Sequence, residues 1–169
     1  MIFVLIGMPS CGKSCMGRAI SKKLGMKNVD SDRLIEKKYG KRLYEIIEDV
    51  GIDGFMKIEE EVLLSISEDN IILSTGGSAV YSSSAMEHLK QMGKLVYLYC
   101  SYGVIKARLG DFSKRGIVLK SGQTLRELYD ERKALYEKYA DIIVDCSGRH
   151  YSAYQRRVIT AISVMLENI

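Results

Sequence analysis

Short apolar runs of strand length alternate along this chain with stretches in which apolar positions recur every three or four residues. That alternation predicts an α/β fold in which a parallel sheet is covered by helices. Ile2-Phe3-Val4-Leu5-Ile6 is an unbroken apolar run and predicts a fully buried first strand. From Lys13 to Leu24, Met16, Ala19, Ile20 and Leu24 share one helical face, and Gly25 is placed to end that helix. A short strand is expected before Asp30, then a helix from Arg33 to Tyr39 closed by Gly40. Two further helices are predicted over Leu43 to Asp49 and Asp53 to Ser67, the second with Asp53 as its N-cap. Asn70 to Ser74, Lys94 to Cys100 and Asp141 to Asp145 complete the strands, and Lys94 to Cys100 carries Val96, Leu98 and Cys100 on one face with tyrosines on the other. Gly110 to Gly122 shows neither period.

Composition narrows the picture only a little. At 169 residues the chain is read as a single domain over 1–169, long enough to bury a real core. A net charge of +4 without a basic block or an aromatic-interleaved basic stripe gives no reason to expect a nucleic-acid partner. No segment approaches the length of a membrane span, and the opening apolar run is too short and lacks the basic leader of a signal peptide. Cys11, Cys15, Cys100 and Cys146 have neither metal-site nor disulfide-framework spacing, which suits a reducing compartment. A cytoplasmic protein without a membrane partner is expected, and a monomer.

Chemistry enters at Gly7-Met8-Pro9-Ser10-Cys11-Gly12-Lys13-Ser14, a full match to G-x-x-x-x-G-K-[ST] that follows directly on the first strand. In such a loop glycines let successive backbone N–H groups converge on phosphate oxygens, the lysine reaches the outer phosphates and the final hydroxyl is offered to Mg²⁺. The helix that starts there adds its positive dipole end. Ser10, Cys11, Gly12, Lys13, Ser14 and Cys15 are therefore the expected nucleotide-binding residues.

Phosphoryl transfer asks little covalent help of a protein beyond positioning and charge stabilisation. A carboxylate should serve the metal, a second should align the accepting hydroxyl, and cations should surround the transferred group. Asp30-Ser31-Asp32 lies at the carboxyl edge of the sheet, where open α/β folds bind ligands, and its two acids can serve two partners. The competing reading is that Ser31 and Asp32 only cap a helix. Thr75-Gly76-Gly77 leaves another strand at the same edge, and its missing side chains permit a small ligand to touch backbone. The segment from about 110 to 123, with Lys114, Arg115, Gly116 and Lys120, reads as a lid that excludes water or as an ordinary surface loop.

With these motifs in this order the chain resembles the shikimate kinases, small enzymes of aromatic amino acid biosynthesis that pass the γ-phosphoryl of ATP to a hydroxyl of a cyclic hydroxy-acid. The resemblance runs through the phosphate loop, Asp30-Ser31-Asp32, Gly54-Phe55-Met56-Lys57-Ile58-Glu59-Glu60, Ser74-Thr75-Gly76-Gly77, the basic lid and Glu131-Arg132-Lys133-Ala134-Leu135-Tyr136. It implies a three-layer P-loop kinase fold with five parallel strands in the order 2-3-1-4-5, and acceptor-binding helices over about 31–67. It implies ATP and Mg²⁺ as cofactors, with Ser14 on the metal directly and Asp30 through water. Asp32 would engage the acceptor hydroxyl, Lys13 would bridge to the transferring phosphoryl and Arg115 would close over the phosphates. Arg108 resembles the residue that lies against adenine, Arg149 would approach it too, and Arg132 matches the one that grips the substrate carboxylate. Gly76 and Gly77 would face the acceptor.

The family pattern fails at one point that matters. Shikimate kinases carry Phe-Arg-x-x-Glu where this chain has Phe55-Met56-Lys57-Ile58-Glu59. The lost arginine would join Arg132 in clamping the acceptor's carboxylate and would pair with Glu59. A thioether provides neither charge nor donor. Hydrogen bonds to charged groups contribute about 1.5 to 3 kcal/mol, so shikimate affinity is expected to fall roughly ten- to a hundredfold. Lys57 points about 100° away on a helix and is no obvious substitute. Ser78 stands where a third glycine is usual, and Arg115-Gly116 replaces Arg-Pro. These changes leave two rivals to shikimate phosphorylation: the same chemistry on another small polyol or sugar acid, and a nucleotide-binding regulator without catalysis.

Overall fold

A computed structural model describes residues 1–110, 117–148 and 150–167. Its centre is a five-stranded, all-parallel sheet in the order β2-β3-β1-β4-β5. The strands are β1 (Ile2–Ile6), β2 (Lys27–Asp30), β3 (Ile71–Ser74), β4 (Gly93–Tyr99) and β5 (Ile142–Asp145). Every residue of β1 is buried, as an apolar run covered on both faces must be. The helices are α1 (Lys13–Leu24), α2 (Ser31–Tyr39), α3 (Leu43–Leu64), α4 (Ser83–Met92), α5 (Tyr102–Leu109), α6 (Leu125–Tyr139) and α7 (Tyr151–Glu167). α1 packs on β1, β2, β3 and α7, while α4 and α6 pack on β4 and α3 joins α4.

Sheet type, strand order and helical cover are those expected from the sequence and the resemblance, with a few local differences. α2 starts at Ser31, two residues before the predicted start, because the Asp30 side chain accepts from the amides of Asp32 and Arg33 and caps it there. The two helices predicted from Leu43 form one element broken at Gly51, whose φ of 71° and ψ of 175° leave the helical region. That element ends at Leu64, short of Ser67. Tyr97, on the tyrosine face of β4, is 1% exposed and its ring lies 5.1 Å from that of Tyr136 on α6.

The apolar interior has two parts. The larger surrounds the sheet and includes β1, Met16 and Ile20 of α1, and Val158 and Ile162 of α7. The smaller comprises Ile35, Ile46, Phe55, Ile58, Val62 and Val118, with Leu43, Ile47, Ile52 and Met56 packed against it. It holds α2 and α3 together beside the carboxyl edge of β2 and β3.

Candidate active site

The phosphate loop runs from the end of β1 to the start of α1. Gly12 takes φ 104° at the helix N-cap position and no side chain caps α1, so the first-turn amides are presented to the cleft rather than to the protein. Lys13 is buried, and its Nζ donates to the carbonyls of Gly7 at 2.7 Å and Met8 at 2.9 Å. An ammonium held inside the turn of the loop is within reach of an anion cradled by the same backbone. From behind, Ser74 Oγ at the end of β3 donates to the Lys13 carbonyl at 3.2 Å and fixes the helix start against the sheet.

The second and third motifs are stitched to this loop. Thr75 donates through its amide and its hydroxyl to Leu5 O, which ties the end of β3 to β1. The Gly76 amide donates to Ser31 Oγ at 3.1 Å, which ties the same turn to α2. Gly76 leaves room for two acids: a Cβ there would stand 2.1 Å from Glu59 Oε1 and 2.8 Å from Asp32 Oδ1, so both carboxyl groups would have to shift. α6 completes the wall, with Tyr136 donating to Gly77 O at 2.6 Å and Arg132 NH1 lying 3.0 Å from where a Gly77 Cβ would be.

These elements enclose a cleft of about 520 Å³ lined by Ser10, Gly12, Lys13, Ser14, Cys15, Asp32, Gly76 and Gly77, together with Phe55, Glu59, Ser78 and Ile117 among others. A second cavity of about 360 Å³ shares Glu59 and Ser78 with it and adds Met56, Lys57 and Tyr81. Met56 therefore lies behind the wall of the main cleft, one helical turn from Glu59, rather than in it.

Two acids dominate the electrostatics. Burial, with Asp30 adding to it and Lys13 opposing, pushes the half-buried Asp32 carboxyl up to about 6, which leaves it ionised and proton-accepting at neutral pH. Burial likewise pushes Glu59 up to about 7, against the Ser78 hydroxyl that donates to its Oε2 at 2.6 Å. Asp30 Oδ1 accepts from the amides of Asp32 and Arg33 and caps α2, so this carboxylate is held in one orientation; Asp30 itself is buried and is not among the residues that line the cleft. No three metal-ligating side chains gather among the described residues. A magnesium ion that keeps waters and binds phosphate oxygens needs only one or two protein ligands, which Ser14 and Asp30 suit.

The remaining candidates divide. Arg132 is 1% exposed; its NH2 donates to Val118 O at 2.7 Å and its Nε to the Tyr81 hydroxyl at 3.3 Å. Arg108 is half-buried behind the loop, donating to Cys11 O and Cys100 Sγ at 3.5 Å with its guanidinium 5.8 Å from the Tyr154 ring. Cys11 is buried, whereas Cys15 is exposed and its thiol meets the Tyr151 hydroxyl at 3.3 Å. Arg115 and Arg149 lie outside the described residues, as does the 111–116 part of the expected lid. The described part beyond it is anchored: Ile117 lines the cleft, Val118 is in the smaller apolar cluster, and Lys120 pairs with Glu131. Sequence reasoning overlooked Ser31, Ser74 and Tyr136 as fasteners and gave Glu59 no place of its own. Its signal was an acid four residues after Phe55, on the face that α3 buries.

A shikimate kinase family model matches residues 9–163. A shikimate kinase from Bacillus anthracis is 35% identical over 146 residues, 86% of this chain and 88% of that protein. One from Francisella tularensis subsp. novicida is 34% identical over 166 residues, 96% of this chain and 92% of that protein. Among solved structures, a shikimate kinase from Acinetobacter baumannii in complex with shikimate superposes with a TM-score of 0.83 at 30% identity, covering 99% of this chain and 93% of that one. One from Aquifex aeolicus gives 0.83 and 30%, covering 99% and 96%.

Proposed function

Because the chain belongs to the shikimate kinase family, a family of small-molecule kinases with an alcohol acceptor, we propose that it transfers the γ-phosphoryl of ATP, with Mg²⁺, to a hydroxyl of shikimate, giving shikimate 3-phosphate. The observation that carries the reading is the convergence of Lys13, Ser14, Asp32, Gly76 and Gly77 on one cleft. Bound ATP supplies the phosphoryl group, and Mg²⁺ neutralises charge on its phosphate oxygens. Lys13 exchanges its carbonyl partners for phosphate oxygens and stabilises the charge that develops on the transferring group. Ser14 and Asp30 would hold the metal. Asp32 aligns the acceptor hydroxyl and receives its proton as the new O–P bond forms and the bond to the leaving diphosphate breaks. The acceptor's carboxylate rests against Arg132 over the bare backbone of Gly76 and Gly77. In the same reading Arg115 closes over the phosphates, Arg108 and Arg149 flank the base, and the enzyme is a cytoplasmic monomer whose four thiols stay reduced.

Met56 and Glu59, whose Oε1 has no hydrogen-bond partner among the described residues, favour one rival: the same reaction on another small polyol or sugar acid. The purified protein should be incubated with ATP, Mg²⁺ and a panel of hydroxy-acids and polyols, with products read by mass spectrometry. Saturable formation of shikimate phosphate is the expected result. Turnover confined to a different acceptor would replace shikimate with that compound, and ATP binding without transfer to any acceptor would make the protein a regulator.

A further inference from the structure

Glu59 is only 2% exposed, yet it is the wall between the two cavities and reaches both. Its Oε2 accepts from Ser78, while its Oε1 has no hydrogen-bond partner among the described residues. Such an atom carries the full desolvation cost of a polar group without compensation. None of the ion pairs among the described residues includes it. Met56, three residues earlier on α3 and thus on a neighbouring face, contributes no charge.

The groups around it come from four elements. Asp32 on α2 directs Oδ1 to the same point over Gly76 as Glu59 Oε1 does. Lys13 on α1 and Arg132 on α6 are the cations that act on it, and the Ser78 hydroxyl follows β3. Arg132 is committed on two of its nitrogens, to Val118 O and to the Tyr81 hydroxyl. Two carboxyl groups therefore share the acceptor wall with one partly engaged guanidinium.

We infer that Glu59 sets the acceptor specificity of this cleft: ionised, it repels an acceptor whose carboxylate rests at Arg132, and such an acceptor binds with uptake of one proton onto Glu59. The proton comes from the buffer and ends on the carboxyl oxygen that has no other partner. Burial already raises this group's affinity for a proton, and an incoming anion raises it further. The inference rests on the proposed function, since it requires an acidic acceptor at Arg132.

Calorimetric titration of the protein with shikimate, in buffers of different ionisation enthalpy between pH 6 and 8.5, tests it. Net proton uptake is expected near pH 8, with affinity weakening by about tenfold from pH 6 to 8.5, the order expected for like charges a few ångströms apart in a partly solvated cleft. Glu59→Gln should bind shikimate about as tightly at pH 8.5 as the parent does at pH 6, with uptake abolished. An analogue with a hydroxymethyl group in place of the carboxyl should show neither effect, which a merely structural role of Glu59 would not produce. Should Glu59→Gln fail to fold, Ser78→Ala serves instead: loss of the hydroxyl that stabilises the anion should move the midpoint of the affinity change to higher pH. Shikimate binding without proton uptake, or uptake persisting in Glu59→Gln, would overturn the inference and leave the proposed reaction standing. No binding of shikimate at any pH would remove both.

Discussion

Replacing Gly76 by alanine is the sharpest probe of the cleft. The new Cβ would stand 2.1 Å from Glu59 Oε1 and 2.8 Å from Asp32 Oδ1, where ordinary contact begins near 3.4 Å. Glu59 must retreat by more than an ångström, yet it is packed in the protein and tied to Ser78. Overpacking of this kind costs about 1–3 kcal/mol, and loss of a hydrogen bond to a charged group about 1.5–3 kcal/mol. Since the two overlap, Gly76→Ala should destabilise by about 2–4 kcal/mol in urea unfolding. The same displacement pushes Asp32 aside and disturbs the amide that holds Ser31, and misplacement of about 1 Å can lower kcat/KM on the order of a hundredfold. Adding Glu59→Ala removes the tighter clash and leaves the one with Asp32, so Gly76→Ala should cost less stability in the Glu59→Ala background than in the parent while activity stays low. Parent-like stability and kcat/KM in Gly76→Ala would refute this account of the turn.

Asp32→Asn keeps the shape of the cleft but accepts no proton; kcat should fall by about 10²–10⁴ while ATP affinity, followed by calorimetry, changes little. Equal losses in both would show that Asp32 serves the nucleotide instead. Glu59 also makes folding pH-dependent, because its proton is held more tightly in the folded chain, near 7, than at the ordinary value of 4.5. Its favourable contribution is complete below about 4.5 and disappears as pH rises through 7, a span corresponding to at most about 3 kcal/mol. The loss of unfolding free energy between pH 5 and 8 should therefore be smaller in Glu59→Gln than in the parent, and equal slopes would show that the group titrates normally.

The middle of the sheet was legible because β1 and β3 are buried along their whole length: they admit only apolar or small residues and are bounded by glycine, loop or cap positions. The phosphate loop was legible because its chemistry depends on backbone turns that few sequences permit. The break at Gly51 was anticipated as a gap between two helices, although not that both halves continue as one element. The helices α4 to α7 are not among the predicted elements, and α5 in particular has no segregated apolar face. Local sequence could not say that Arg132 is buried or that Arg108 meets the back of the loop, because both placements follow from contacts between distant segments. Glu59 was hidden for the same reason: its partners, Ser78 and the Gly76 turn, come from another strand.

The separate apolar cluster under α2 and α3 has a consequence for how such a protein diversifies. Six buried residues, Phe55 among them, support the acceptor side without sharing side chains with the interior beneath the phosphate loop. Substitutions such as those at positions 56 and 78 can thus accumulate on one side while the triphosphate grip is inherited intact. Selection can exchange what receives the phosphoryl group without rebuilding what delivers it.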